Sequence, residues 1–372
     1  MKKLFKVVAL SAAMAMGLST LAACGGDKGN GGNGGNTGTI SGSYKPVDVT
    51  DTAQVQKIND EIAKINMNSV LGDITAENWM FGVDGNIALD VLLQEDNEYI
   101  KANGTIELGA SVQADGQTPV IGAKVTGKAN VNITKNFAKE LKIEDALNAN
   151  ATFNAYADME YVYLDQKVTG IANLNDGVNE AALKVKYATM DLIEMVMGGV
   201  EGMNGEGESE GGEAQAFDIA TLVAMAKQYG VEVSVDVSNG LKVKAAATAN
   251  TLDTLLAMIP GGDEGTVISQ IVNKDNVKNF VVEVYVAFDK NGGFEAFAAK
   301  IDVKVQYTGV STFDSTKQSN NVVSLKLTAN VKKSTKTVTV PDSVKNDTSY
   351  VEESFGGEPG QGGVEGGEQE AA

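Results

Sequence analysis

The sequence predicts an α+β protein built on a long curved antiparallel β-sheet, a half-barrel, with an N-terminal helix and central helices against its concave face. Three observations predict it. Strict apolar–polar alternation runs through several unusually long segments. A single helical stripe precedes them. Apolar segments of helical period then interrupt the alternation before it resumes, which is the α+β pattern. A β-sandwich is the alternative architecture.

Residues 1–23 have the make-up of a secretory leader. Lys2, Lys3 and Lys6 precede an apolar stretch over 7–21, broken only by Ser11, Gly17, Ser19 and Thr20. That stretch is too short and wrongly flanked for a membrane span. It ends in Leu21-Ala22-Ala23-Cys24, which resembles the lipobox of bacterial lipoproteins. The resemblance implies that the Cys24 thiol receives a diacylglyceryl group and becomes the new N-terminus. Cys24 is the one cysteine of the chain, and a lone cysteine in an exported protein is an unpaired liability or a modification site. Two acyl chains anchor stably where one does not. The expected location is therefore the outer face of the cytoplasmic membrane, at the cell surface. Ordinary leader cleavage before a chance cysteine is the alternative.

Residues 24–43 follow as a Gly/Asn-rich linker. Nine glycines and three asparagines over 25–43 make a flexible coil, with a mean reach of roughly 25 Å. The folded domain is expected over 44–351, and an acidic Gly-rich tail over 352–372.

Within the domain, Asp51-Thr52-Ala53-Gln54 is a capping signal opening a helix with Val55, Ile58, Ile62 and Ile65 on one stripe. The period then changes to two. Ile100, Ala102, Gly104, Ile106, Leu108, Ala110 and Val112 alternate with polar or small residues, as do Ile121, Ala123, Val125, Gly127, Ala129, Val131 and Ile133. Ala149, Ala151, Phe153, Ala155, Ala157, Met159, Tyr161 and Tyr163 read as one further strand. It is expected to end at an Asp165-Gln166 turn. Phe297 to Tyr307 and Val323 to Val331 repeat the pattern near the end. Such alternation marks a sheet with one buried and one wet face. A 13-residue strand spans about 43 Å, and a set of such strands twists, curls or splits.

Between these strands, residues 190–197, 217–229, 251–259 and 266–272 read as apolar helices, with Pro260-Gly261-Gly262 ending the third. Residues 198–213 form an acidic loop with five Glu, expected to be disordered. It lacks the Asp/Asn-Gly spacing of an EF-hand. Asp289-Lys290-Asn291-Gly292-Gly293 and Asn175-Asp176-Gly177 read as hairpin turns.

Composition narrows the function. The net charge is −19, and losing the leader removes three more Lys. Nucleic acid and anionic headgroups are bound through positive charge, so no nucleic-acid partner is expected. The chain has neither His nor Arg. This removes the imidazole base, the Ser-His-Asp arrangement, the usual zinc ligation and the guanidinium fork. No cofactor, metal site or catalytic residue is expected, and the chain reads as a non-enzyme. Asp158 and Glu160 lie two apart, expected as an ordinary solvated pair on one strand face. A membrane β-barrel also alternates at period two, but the lipobox, the helices and the low aromatic share of 6% oppose it.

The organisation resembles the LolA/LprG-type lipoprotein carriers. The resemblance covers about 44–351 and is carried by the signal ending in Cys24, one early helix, long meandering strands, central helices, and a closing Val338-Thr339-Val340-Pro341-Asp342. It departs in lacking Arg and in its acidic inserted loop. It implies a cavity between sheet and helices that holds a lipid or lipidated molecule. Candidate lining residues are Ile106, Leu108, Val125, Val131, Phe153, Tyr161, Tyr163, Met190 and Met195. Met adapts to varied apolar partners, although the methionines also serve as ordinary core filling. The Tyr161/Tyr163 pair is placed at the cavity mouth, and Trp79 with Met80 and Phe81 at the entry to the first strand. The expected function is a lipid-anchored carrier or sensor of an apolar ligand. A non-catalytic envelope module acting through an unidentified protein partner is the alternative.

Overall fold

The computed structural model describes residues 37–72, 79–115, 118–174, 177–190, 218–257 and 273–353. Thirteen strands join in one open mixed sheet. In chain order they are β1 (Lys45–Pro46), β2 (Met80–Glu95), β3 (Glu98–Asp115), β4 (Thr118–Ile133), β5 (Leu147–Ala157), β6 (Tyr161–Thr169), β7 (Glu180–Ala188), β8 (Val231–Asp236), β9 (Leu241–Ala247), β10 (Val277–Phe288), β11 (Phe294–Val310), β12 (Gln318–Lys333) and β13 (Val351–Glu352). The sheet order is β1-β8-β9-β10-β11-β12-β2-β3-β4-β5-β6-β7-β13. Two antiparallel meanders, β2 to β7 and β8 to β12, therefore meet where β12 pairs with β2. Only β13 runs parallel to its neighbour, β7. The strands lie in a single layer, not in the two stacked layers of a sandwich.

Short hairpins set this register. β2 and β3 are joined by Asp96-Asn97, with Glu95 facing Glu98 and Asp96 at φ 50°. Asp and Asn tolerate that left-handed conformation, which two-residue hairpins need. Between β10 and β11, the Asp289 carboxylate accepts from Asn291 N at 2.7 Å and Gly293 N at 3.0 Å.

Alternation sorts the side chains into two faces. One row runs straight across eleven strands: Val233, Ala245, Val284, Ala299, Ala329, Ile87, Ile106, Gly127, Phe153, Gln166 and Leu183. Gln166 is its one polar side chain. The opposite face carries Lys, Asn, Thr and acids.

Helices pack on the apolar face. α1 (Thr52–Ile62) is capped by Asp51, whose side chain accepts from Ala53 N and Gln54 N. Following α2 (Met67–Leu71), α3 (Lys135–Glu140) buries Phe137 and Ala138 against Ile133, Ile143 and Leu147. α4 (Ile219–Gln228) joins α1 over β8 and β9, where Ile58, Ile219 and Val223 meet Val233, Val235 and Leu241. α5 (Ala249–Ala257) follows β9 directly. The expected helices over 217–229 and 251–259 are thus found as α4 and α5, the second starting two residues earlier. Those expected over 190–197 and 266–272 lie almost entirely outside the described residues, as do Cys24, Met195 and the loop 198–213.

The segments before β1 and after β12 run over the polar face. Ser43 N donates to Asp236 at 2.8 Å and Lys242 Nζ to Ser41 O at 2.9 Å. Past β12, Val338 N donates to Ser111 Oγ of β3 at 2.8 Å. A short helix, α6 (Asp342–Lys345), then leads to β13.

Candidate functional site

The apolar face is covered unevenly. α1 and α4 close it over β8 and β9, and α3 closes the ends of β3 to β5, where Phe313 from the β11–β12 loop meets Phe137 at 4.9 Å. Toward its centre the exposure is mixed, with Ile87 and Ala329 buried. Val284, Leu325, Leu89 and Leu93 keep 43, 37, 37 and 39% of their surface exposed, although they sit on inner strands of a 13-stranded sheet. The open floor spans seven strands, β10 to β5, or about 30 Å at the normal strand spacing. Along β12 its exposed part is Val323 and Leu325, 37% each, while Ala329 and Val331 are buried, as is Ile87 on β2. Leu89 and Leu93 of β2 lie beside Val323 and Leu325, since Leu93 pairs with Val323.

Five expected lining residues share this floor. Ile106 faces Ile87 on one side and Gly127 on the other, and Gly127 in turn faces Phe153. Leu108 and Val125 are direct cross-strand partners. Val131 lies on the same face but toward its closed end, packed against the α3 cluster.

The tyrosine pair does not join them. β5 ends at Ala157, and the chain turns through 158–160, where Asp158 Oδ1 accepts from Glu160 N at 2.9 Å and Tyr161 N at 3.0 Å. Ala157 then pairs with Val162, so Val162 and Leu164 take the apolar face while Tyr161 and Tyr163 take the polar one. There Tyr163 is 6% exposed and packs with Val340 and Tyr350. The turn lies at 158–160, and Asp165 and Gln166 continue within β6. Asp158 and Glu160 are accordingly turn residues. Asp158 accepts from Lys345 Nζ at 2.6 Å. Burial pushes its carboxyl up, but the Lys345 bond and the two turn N–H groups hold it below the usual value. Met190 lies beyond the end of β7, 56% exposed. Trp79 stands at the start of β2, its Nε1 donating to Leu71 O at 2.6 Å.

Two features of the floor were absent from the sequence reading. Glu95 sits at its end on the apolar side of β2, only 3% exposed. Burial pushes this carboxyl up, yet bonds from Ser311 and Thr312 bring it below the ordinary range. It is a closed, satisfied carboxylate. The second feature is a depression where β9 ends and β10 begins, lined by Ala247, Thr248, Leu252, Lys274, Val277 and Phe280. The run 277–288 held the signal for its β10 side, but a register shift between Val277 and Asn279 breaks the alternation there.

Among the described residues, no group of three or more His, Cys, Asp or Glu side chains stands ready to hold a metal ion, and no helix is long and apolar enough to cross a membrane. The arrangement offers a broad apolar surface with little polar chemistry on it. Compared with known family models, curated proteins and solved structures, the chain matches none.

Proposed function

We propose that the protein is a lipid-anchored, extracytoplasmic, non-catalytic binder or carrier of an apolar ligand, held on the apolar face of its sheet. One observation carries the reading: on inner strands of the sheet, Val284, Leu89, Leu93, Val323 and Leu325 stay about 40% exposed on the apolar face. Exposed apolar surface costs roughly 25 cal/mol per Å², so an apolar ligand that covers these side chains is bound favourably. In this reading the sheet curls into a half-barrel with the floor concave. α1, α4 and α5 wall one side and α3 closes one end. Cys24 carries the diacylglyceryl anchor, and residues 25–43 let the domain stand off the outer face of the cytoplasmic membrane.

The test is native mass spectrometry of the mature chain extracted in mild detergent. Lipid should stay bound to the native protein and be lost when Leu89 and Leu325 are both changed to Asp. A chain that never retains lipid, from any expression host, contradicts the reading. A companion substitution, Cys24→Ser, should release the protein from the membrane fraction. Retention of that variant in the membrane contradicts the anchor.

A further inference from the structure

Where β9 ends and β10 begins, the apolar floor sinks into a depression of about 280 Å³. Val277 and Phe280 belong to the apolar face, since they pair with Val305 and Val303. Leu252 of α5, 8% exposed, forms the opposite wall. Among the described residues Lys274 is the one charged residue of the lining. We propose that this depression seats the carboxylate of a long-chain fatty acid on the Lys274 ammonium, with the acyl tail laid across the floor toward β12. The proposal rests on the reading that the floor binds an apolar ligand.

Three observations select this ligand class. The first is which polar groups are still available. The Thr248 hydroxyl donates to Gly230 O at 2.7 Å and accepts from Asn250 N at 3.2 Å, so it is committed to the α5 cap. Lys274 Nζ lies 2.8 Å from Asp253 Oδ2, which occupies one of its three donors. Both partners of that pair are about half exposed or more, at 65 and 47%. Such a screened pair is weak, and a ligand carboxylate can share the ammonium with little loss.

The second is charge at this end of the floor. Besides Asp253, already paired with Lys274, this end carries Glu95 on β2, negative, buried and already satisfied, so it repels an anionic head placed on β2. Lys274 is left as the anchoring point.

The third is size. The depression lies at the low end of small-molecule sites, room for a carboxylate and its first methylenes but not for a glycerolipid head with two chains side by side. From Phe280 the apolar rows continue through Val303 to Leu325. A tail laid there gains roughly fourfold in affinity per buried methylene.

The experiment measures palmitate and hexadecanol binding to the mature full-length chain by isothermal titration calorimetry. Both should bind, with palmitate about fivefold tighter. Lys274→Ala should erase that preference while leaving hexadecanol binding unchanged, and Asp253→Asn should tighten palmitate alone. Equal affinities in the native chain, or a Lys274→Ala variant that weakens both ligands alike, overturn the head-group assignment and leave the floor reading standing. Binding of neither ligand overturns both.

Discussion

At Gly122 the C-terminal segment lies directly on the sheet, and a Cβ there would collide with the carbonyl oxygen of Val338. At Gly109, on the adjacent strand β3, an added Cβ would touch the Val338 side chain at 3.4 Å. Gly122→Val should therefore lift the segment off β4 at a cost of about 1–3 kcal/mol. Loss of slow amide exchange at Val338, whose N–H is held by Ser111, checks it. An unchanged exchange rate contradicts the close seat. Ile58 is fully buried between α1, α4 and the sheet. Ile58→Ala should cost about 2–5 kcal/mol in denaturant unfolding. Single residues also decided what the sequence could disclose. Ile106, Leu108, Val125 and Phe153 fall on the expected face because their strands are uninterrupted. Tyr161 and Tyr163 fall on the other because the Asp158 turn shifts the parity of everything after it. A one-residue slip exchanges the two faces, and alternation read through a hidden turn carries that error forward.

At the scale of elements, the closing segment 334–353 is a strap on the polar face, held by the packing of Val340 and Tyr350 on Tyr163, by the pairing of β13 with β7 and by three ion pairs. Lys345 meets Asp158 at 2.6 Å, Lys184 meets Asp347 at 2.7 Å, and Lys186 meets Glu352 at 2.9 Å. The hydrogen bond from Lys184 is the chief cause that holds the Asp347 carboxyl well below the usual carboxylate range. Carboxylates lowered in the folded state stabilise fully above their unfolded value, about pH 4. That contribution fades as the pH falls from there through the lowered folded values. Lys184 and Lys345 are raised, chiefly by their bonds to Asp347 and Asp158. Their contribution holds below the ordinary lysine value and fades as the pH rises through the raised one. The strap should thus stay closed from about pH 5 to 9, weaken as the pH falls below about 4, and open only when the pH passes through the lowered carboxyl values. An NMR titration of the Tyr350 ring, which packs on Tyr163 at 5.4 Å, reads this. A ring environment that changes between about pH 5 and 9, where all these pairs stay charged, contradicts it. The long strands β3, β4, β11 and β12 and the helix α1 were legible because periodicity is a local property. β2 was less so: Ala88 and Leu92 stand on its polar face and blur the alternation.

For the whole molecule, long amphipathic strands announce a sheet with one greasy and one wet face, but pairing order is set by contacts far apart in sequence. Nothing local says that β12 pairs with β2 across more than 200 residues, which is what fuses two meanders into one sheet. The candidate site was half legible for the same reason. Its floor comes from repeated alternation, whereas its Lys274 corner arises from β9, α5 and β10 meeting. The central claim is that this floor is where the ligand lies. It is tested most directly by photocross-linking a fatty acid with a diazirine along its tail to the mature chain and mapping the modified residues. Labels should fall on apolar-face residues of β10, β11, β12 and β2, among them Val284, Val303, Leu325 and Leu89. Labels confined to the polar face, or scattered without regard to face, would contradict it.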